Sequence, residues 1–216
     1  MFYGCDIIQT MTETISLSQG LFPILIALFS IIAHEVAHGY AAYIQGDETA
    51  YRAGRLTLNP IPHIDMIGSI IVPFIAFMTA GVFFGWAKPV PYNVHNVRGR
   101  FGETFVASAG VLTNFALALC AIGFFVLLNQ TGSMTNPLAQ ALFTIIVVNV
   151  SLGVFNLIPV PPFDGMAIIQ SLFPKRHFNS RLFFNPLYLV GAILVASVIY
   201  GQIAPHLFSF IFSAIS

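Results

Sequence analysis

Charge is the scarcest property of this 216-residue chain: eight Lys or Arg and eight Asp or Glu make up only 7% of it. Soluble domains carry about 25% charged residues, because charge covers the surface that faces water. With 57% hydrophobic residues and a mean hydropathy of +0.85, this chain reads as a polytopic membrane protein. Its net charge is zero, so no basic surface points to nucleic acid and no basic tail to an electrostatically held peripheral protein. The two cysteines, Cys5 and Cys120, belong to no CxxC or Cys/His cluster, so no disulfide framework is indicated. The opening MFYGCDIIQTMTET has no basic n-region and carries Asp6 and Glu13, unlike a cleavable signal. No polar stretch is long enough to suggest an aqueous domain, and residues 1–216 read as a single membrane-embedded domain.

Apolar runs of about twenty residues are candidate membrane-spanning helices. Five occur, near 21–45, 66–86, 104–128, 138–158 and 184–212, the last containing Pro205. Two other stretches look extended. In DETAYRAGRLTLNPIP, Arg55, Thr57 and Asn59 alternate with Leu56 and Leu58, which is a strand period. In WAKPVPYN each residue before a proline is pushed away from helix. The expected fold is therefore a polytopic α-helical bundle of four to five membrane segments, one of them a candidate re-entrant segment, with short β-strands near the site.

The basic residues are Arg52, Arg55, Lys88, Arg98, Arg100, Lys175, Arg176 and Arg181. If 66–86 crosses the bilayer, Arg52 and Arg55 fall opposite the other six. If it enters and leaves on one side, all fall on that side, the arrangement the positive-inside rule prefers and calls cytoplasmic. Gly68, Pro73, Gly81 and Gly85 are places where this run could break.

The chemistry starts at HEVAH, residues 34–38, inside a run with no other charge. His34 and His38 are four apart and project from one helix face. That spacing suits one zinc ion, with Glu35 beside the metal as general base. An intramembrane glutamate costs about 2.5 kcal/mol or more, and such residues are rare without a function. Two histidines and a glutamate in one turn share that cost well around a cation. A catalytic zinc usually has a third protein ligand and an open position. Asp164, in FNLIPVPPFDG, is a candidate, but it also precedes an apolar helical run and would serve as its N-cap. Spacing leaves ligand and cap both open.

HEVAHG, GRLTLNPIPHID, FGWAKPVPYN and FNLIPVPPFDG, in that order from residue 34 to residue 165, resemble the site-2 protease family of intramembrane zinc metalloproteases, in its short prokaryotic branch without a PDZ domain. The resemblance implies one zinc per chain held by His34, His38 and Asp164. It implies Glu35 as catalytic acid/base and Asn156 holding substrate or the tetrahedral oxyanion. It further implies an integral protein of a prokaryotic inner or plasma membrane, its site opening to the cytoplasm. The substrate would be a transmembrane protein or peptide, cleaved in or near its membrane helix, as in regulated intramembrane proteolysis. Departures are AGVLTN, which keeps Asn114 but lacks the family's proline, Met66 where proline is common, and Phe163 where leucine is usual.

Around this core, Arg55, Leu56, Thr57, His63 and Asn114 are candidate substrate-binding residues. Asn114 serves equally as an interhelical hydrogen-bonding group. His63 or Asp65 could orient a ligand, while Trp86 and Tyr92 fit an interfacial belt. The edge near GRLTLN could hold an unwound substrate by strand addition. A membrane zinc-binding or transport protein without proteolysis is the alternative; strings of ionisable residues along other helices would favour it, and few occur here. The sequence does not specify an oligomeric state.

Overall fold

The computed structural model describes residues 17–72, 74, 78, 85, 87–99, 101–173 and 186–215. Its helices are α1 (Leu17–Ile44), α2 (Thr49–Arg52), α3 (Gly102–Gln130), α4 (Asn136–Leu157), α5 (Asp164–Leu172) and α6 (Pro186–Ile215). Four of them, α1, α3, α4 and α6, are long and apolar enough to cross a membrane. Pro205 does not end α6, which continues through it to Ile215. The helix ends follow local chemistry. Gly132, at φ +67°, turns the chain after α3 while Ser133 N–H satisfies the Leu128 carbonyl at 3.0 Å, as left-handed C-terminal caps do. Pro137 sits in the first turn of α4, where its missing N–H costs nothing. Past α4, Pro159, Pro161 and Pro162 stop the helix from continuing.

Helix α3 is central, with α1, α4 and α5 packed on it. Small residues let the backbones approach: Ala41, Ala42, Val106 and Ala109 form the α1–α3 core, and Ala118 and Ala121 meet Leu142, Ile146 and Val150 between α3 and α4. Gly153 of α4 lies against the Phe115 ring, where a Cβ would come within 2.8 Å of it. In a bilayer such close packing, not exclusion from water, is what drives helices together.

Partner pairs fix the helix directions. His34 meets Asn114 and Gln45 meets Gly102, so α1 and α3 are antiparallel. Asn114 meets Asn149, so α4 is antiparallel to α3 and parallel to α1. Ser151 meets Tyr200 at 2.7 Å and Phe143 stacks on Phe212, so α6 is antiparallel to α4. The end of α1 and the start of α3 therefore share one end of the bundle. Gln45 Nε2 donates to Gly102 O at 3.2 Å, and Arg98 N donates to Gln45 O at 3.1 Å. Of run 66–86, the structure describes a π-helical turn, Met66–Ile71, and isolated positions beyond it; whether the run spans or re-enters lies outside the described residues.

The expected β-strands are absent among the described residues. Residues 55–60 and 87–93 are irregular; the backbone bond from the second segment goes past the first, from Lys88 N to His63 O at 2.8 Å, in the short turn Ile61–His63. The Arg55 side chain supplies the other, Nη2 to Lys88 O at 2.6 Å. Pro60, Pro62, Pro89 and Pro91 remove the donors that a ladder would need.

One buried carboxylate holds this end of the bundle together. Asp47, fully buried, accepts from Thr49 Oγ1 at 2.6 Å, Asn93 N at 2.7 Å and Asn96 Nδ2 at 2.9 Å. Burial alone would raise its pKa, but these bonds outweigh burial and hold it below its ordinary value. The resulting stability is fully present above the unfolded carboxylate value and is lost as pH falls through the lower folded one. Asp47→Asn is expected to cost on the order of 2 kcal/mol at neutral pH. Thermal unfolding in micelles should show the gap to wild type narrowing as pH falls through that window.

Candidate metal centre

Helix periodicity puts His34 and His38 on the α3-facing side of α1, and both are buried. Their ring planes cross edge to face, with centroids 4.8 Å apart. Each ring is held through Nδ1: His34 donates to Asn114 Oδ1 at 2.6 Å, and His38 donates to the Val106 carbonyl at 2.7 Å. Commitment of Nδ1 leaves the lone pair on Nε2 in both rings. The two Nε2 atoms are 3.1 Å apart.

Asp164 reaches them from α5. Phe163 occupies the N-cap position without a side-chain capping bond and Asp164 is the first helical residue, so its carboxylate is free to point inward. Gly165 makes this possible. A Cβ there would run into the carbonyl of Leu157 at the end of α4, so only glycine lets α5 start so close to α4. Asp164 Oδ2 lies 3.1 Å from His34 Nε2 and 3.2 Å from His38 Nε2. That oxygen is buried and has no hydrogen-bond partner. Thr104 of α3 bonds Ser171 of α5 at 2.9 Å, so α5 runs back along α3 toward the bundle end, leaving Asp164 at the deeper end.

With each Nδ1–H given to α3, three electron-pair donors face one another, an arrangement that a cation between them stabilises. The ligand atoms of His34, His38 and Asp164 all lie within 4.8 Å of one another and could hold a metal ion. Tetrahedral zinc, with bonds of about 2.0–2.1 Å, has ligand-to-ligand edges of about 3.3 Å; the separations here are 3.1–3.2 Å. Helix α3 leaves room as well. Gly110 faces the cluster, and a Cβ there would lie 2.5 Å from His34 Nε2 and closer still to His38 Nε2. A glycine inside a helix costs about 0.5–1 kcal/mol relative to alanine, and here it keeps the space beside the nitrogens open. Two histidines and one aspartate fit zinc and leave a fourth position free.

Glu35 projects from a neighbouring face of α1. Its Oε2 accepts from the Val90 N–H at 2.9 Å. Asn114 belongs to the metal cluster's support: fully buried, it accepts from His34 and donates to Asn149 Oδ1 at 3.1 Å. Asn149, also buried, passes the chain on to Ile145 O at 3.0 Å. Sequence reasoning missed Asn149, although an amide inside the apolar run VVNVSLGVFNL was a usable signal. Asn156 lies apart from these bonds; its amide donates to Leu152 O of its own helix at 3.0 Å. Arg55 and His63 are buried in the loop that follows α2. Leu56 reaches toward Gly39 of α1, and Thr57 O accepts from His63 Nε2 at 2.8 Å. Asp65 caps the Met66–Ile71 turn through Gly68 N. Burial pushes the Tyr92 phenol up, and the carboxylates of Asp164, Glu35 and Glu103 push the same way, so Tyr92 stands in the field of the site as well as near the bundle end. Trp86 lies outside the described residues.

Comparison with known proteins points the same way. The chain is 40% identical over 165 residues to "Putative zinc metalloprotease YwhC" of Bacillus subtilis, covering 72% of this chain and 71% of that protein. It is 28% and 27% identical over 157 residues to the proteins named "Putative zinc metalloprotease Rip2" of Mycolicibacterium smegmatis and Mycobacterium tuberculosis, covering 70% of this chain and 58% of each of them. No family model and no solved structure matches it.

Two substitutions test the geometry without any assay of activity. Gly110→Ala is expected to abolish stoichiometric zinc in the purified protein, measured by mass spectrometry of the metal. Asn114→Leu frees the His34 ring and should weaken zinc binding by about 10–100-fold, read by competition with a chelator.

Proposed function

Because the chain belongs to the site-2 protease-like family of zinc metalloproteases, we propose that it is an intramembrane zinc endopeptidase, hydrolysing a peptide bond in or near a substrate's transmembrane helix. The observation that carries this reading is the cluster of His34, His38 and Asp164, its two buried histidines on a helix long and apolar enough to cross a bilayer, with Glu35 beside them. Zinc supplies, when bound, a Lewis acid for the scissile carbonyl and makes a water acidic enough to ionise near pH 7. The histidines and Asp164 would hold it through Nε2 and Oδ2. Glu35 takes the proton from the attacking water and returns it to the leaving amine nitrogen, the role of a general acid and base. The bond from Val90 N–H holds the carboxylate in one orientation. Asn156 is the candidate for contact with the substrate backbone, once its amide leaves Leu152 O.

The site lies below the membrane surface. Gly110 is eight residues into α3, about 12 Å along the helix. It is nearest the bundle end that carries Arg52, Arg55, Lys88 and Arg98, where α5 finishes and α6 starts. The positive-inside rule makes it the cytoplasmic end. We place the protein in the plasma membrane, with the site opening to the cytoplasm and regulated intramembrane proteolysis as its setting.

Glu35→Gln should keep its zinc and lose cleavage of a model transmembrane substrate by about 10²–10⁴-fold. Equal cleavage by wild type and Glu35→Gln would overturn the mechanism. Full zinc with no cleavage by wild type would favour metal handling without proteolysis.

A further inference from the structure

Glu35 and Gly39 form a second face of α1, one turn apart, and two loop segments dock on it. A Cβ at Gly39 would come within 2.6 Å of Val90 Cγ1, 2.8 Å of Leu56 Cδ2 and 3.1 Å of Ala50 Cβ. Residues 87–91 read A-K-P-V-P. Pro89 and Pro91 have no N–H, so Val90 is the sole backbone donor among 89–91, and both prolines bias their preceding residues to extended backbone. That one donor goes to Glu35 Oε2.

The position of Val90 is set from the other side. Both backbone groups of Lys88, two residues away, are taken by the loop after α2: its N–H by His63 O at 2.8 Å, its carbonyl by Arg55 Nη2 at 2.6 Å. His63 is 1% exposed. It donates from Nε2 to Thr57 O, which leaves the Nδ1 lone pair facing Arg55 Nη2 at 3.4 Å. Arg55 is only 7% exposed, makes no ion pair among the described residues, and its buried Nε has no hydrogen-bond partner. A buried, unpaired guanidinium is costly. Its commitment to one loop carbonyl and one imidazole nitrogen needs a return beyond local stability.

We propose that Arg55 is a positioning residue for Glu35, acting through the backbone of Lys88 and Val90. This rests on Glu35 being the general base. The planar guanidinium and the His63 carbonyl grip Lys88 from two directions. The proline-stiffened segment carries that position to Val90, and the Val90 N–H fixes where the Glu35 carboxylate waits. Arg55 touches no reacting atom. It determines how far the proton acceptor strays from the attacking water, and a misplacement of 1 Å at such a distance costs about 10²-fold in rate.

The test compares wild type, Arg55→Gln, Arg55→Lys and Glu35→Ala as purified, zinc-loaded protein. The readouts are zinc content, hydrogen exchange of the 87–92 peptide, and kcat and KM on a model transmembrane substrate. Arg55→Gln should keep its zinc, lower kcat by roughly tenfold to a hundredfold and move KM by less than about threefold. It should also speed exchange at Val90 by about tenfold or more, as Glu35→Ala does from the other end of the bond. Arg55→Lys, which keeps the charge but not the fork, should fall between. Unchanged kcat and Val90 exchange in Arg55→Gln would overturn the proposal. So would a kcat loss that tracks zinc loss, which is a folding effect, or a rise in KM alone, which is substrate binding. If wild type does not cleave, the protease reading and the positioning role fail together, while Val90 exchange still decides whether Arg55 controls the bond to Glu35. Should Arg55→Gln not fold, Arg55→Lys carries the same comparison.

Discussion

The arrangement depends on the need to bring two imidazole lone pairs and one carboxylate oxygen to a common point between packed helices. In an aqueous site a misdirected ring would find solvent; here each Nδ1 must be committed to a protein acceptor for Nε2 to point inward. Val106 O and Asn114 Oδ1 are those acceptors, and both belong to α3. The rest follows from bringing α3 that close. Small residues line the α1–α3 contact, and Gly110 gives up helix propensity to leave the cluster open. Asn149 satisfies the amide that Asn114 would otherwise leave unpaired.

A second consequence concerns backbone groups. Helix α4 must end, and α5 must begin, at the depth of the cluster, so irregular chain lies where lipid would leave it unsatisfied. Such chain is tolerated only against protein or a polar cavity. Prolines 159, 161 and 162 reduce the number of donors to satisfy, and Gly165 packs the start of α5 against the carbonyls of Leu157 and Ile158. The aspartate–glycine pair divides its labour: the glycine sets the depth, and the aspartate uses it.

Much of this was legible in the letters. Four long apolar runs became four helices, and the two histidines share a face because a four-residue spacing requires it. Ordered motifs drew attention to Asp164, whose spacing alone fitted a helix cap as well as a ligand; its carboxylate proved free of capping because Phe163 takes that position. The strands were misread because alternation in GRLTLN signals a two-sided environment, not a ladder. Leu56 turns toward α1 and Arg55 inward, while prolines on both segments withhold the donors that pairing needs. Asn149 and Gly110 were missed for another reason. Their roles lie in which helix faces which, and a one-dimensional pattern does not carry that. Asn156, one of the motif residues, illustrates the converse: a motif identifies it, yet its amide is bound within its own helix.

Residues 34–39 therefore read as two stripes on one helix. His34 and His38 lie about 40° apart around the axis at 3.6 residues per turn and face α3. Glu35, about 100° from His34, shares its side with Gly39 and faces the loops. The carboxylate is thereby kept off the lone-pair cluster, where a second anion would compete with Asp164, yet it stays within one residue of it. Its Val90 hydrogen bond ties it to the loop side of the helix. Three donors converge on one side of the helix and a carboxylate is held on the adjacent side. That separation leaves Glu35 outside the three-residue ligand set, the arrangement that the proposed hydrolysis calls for.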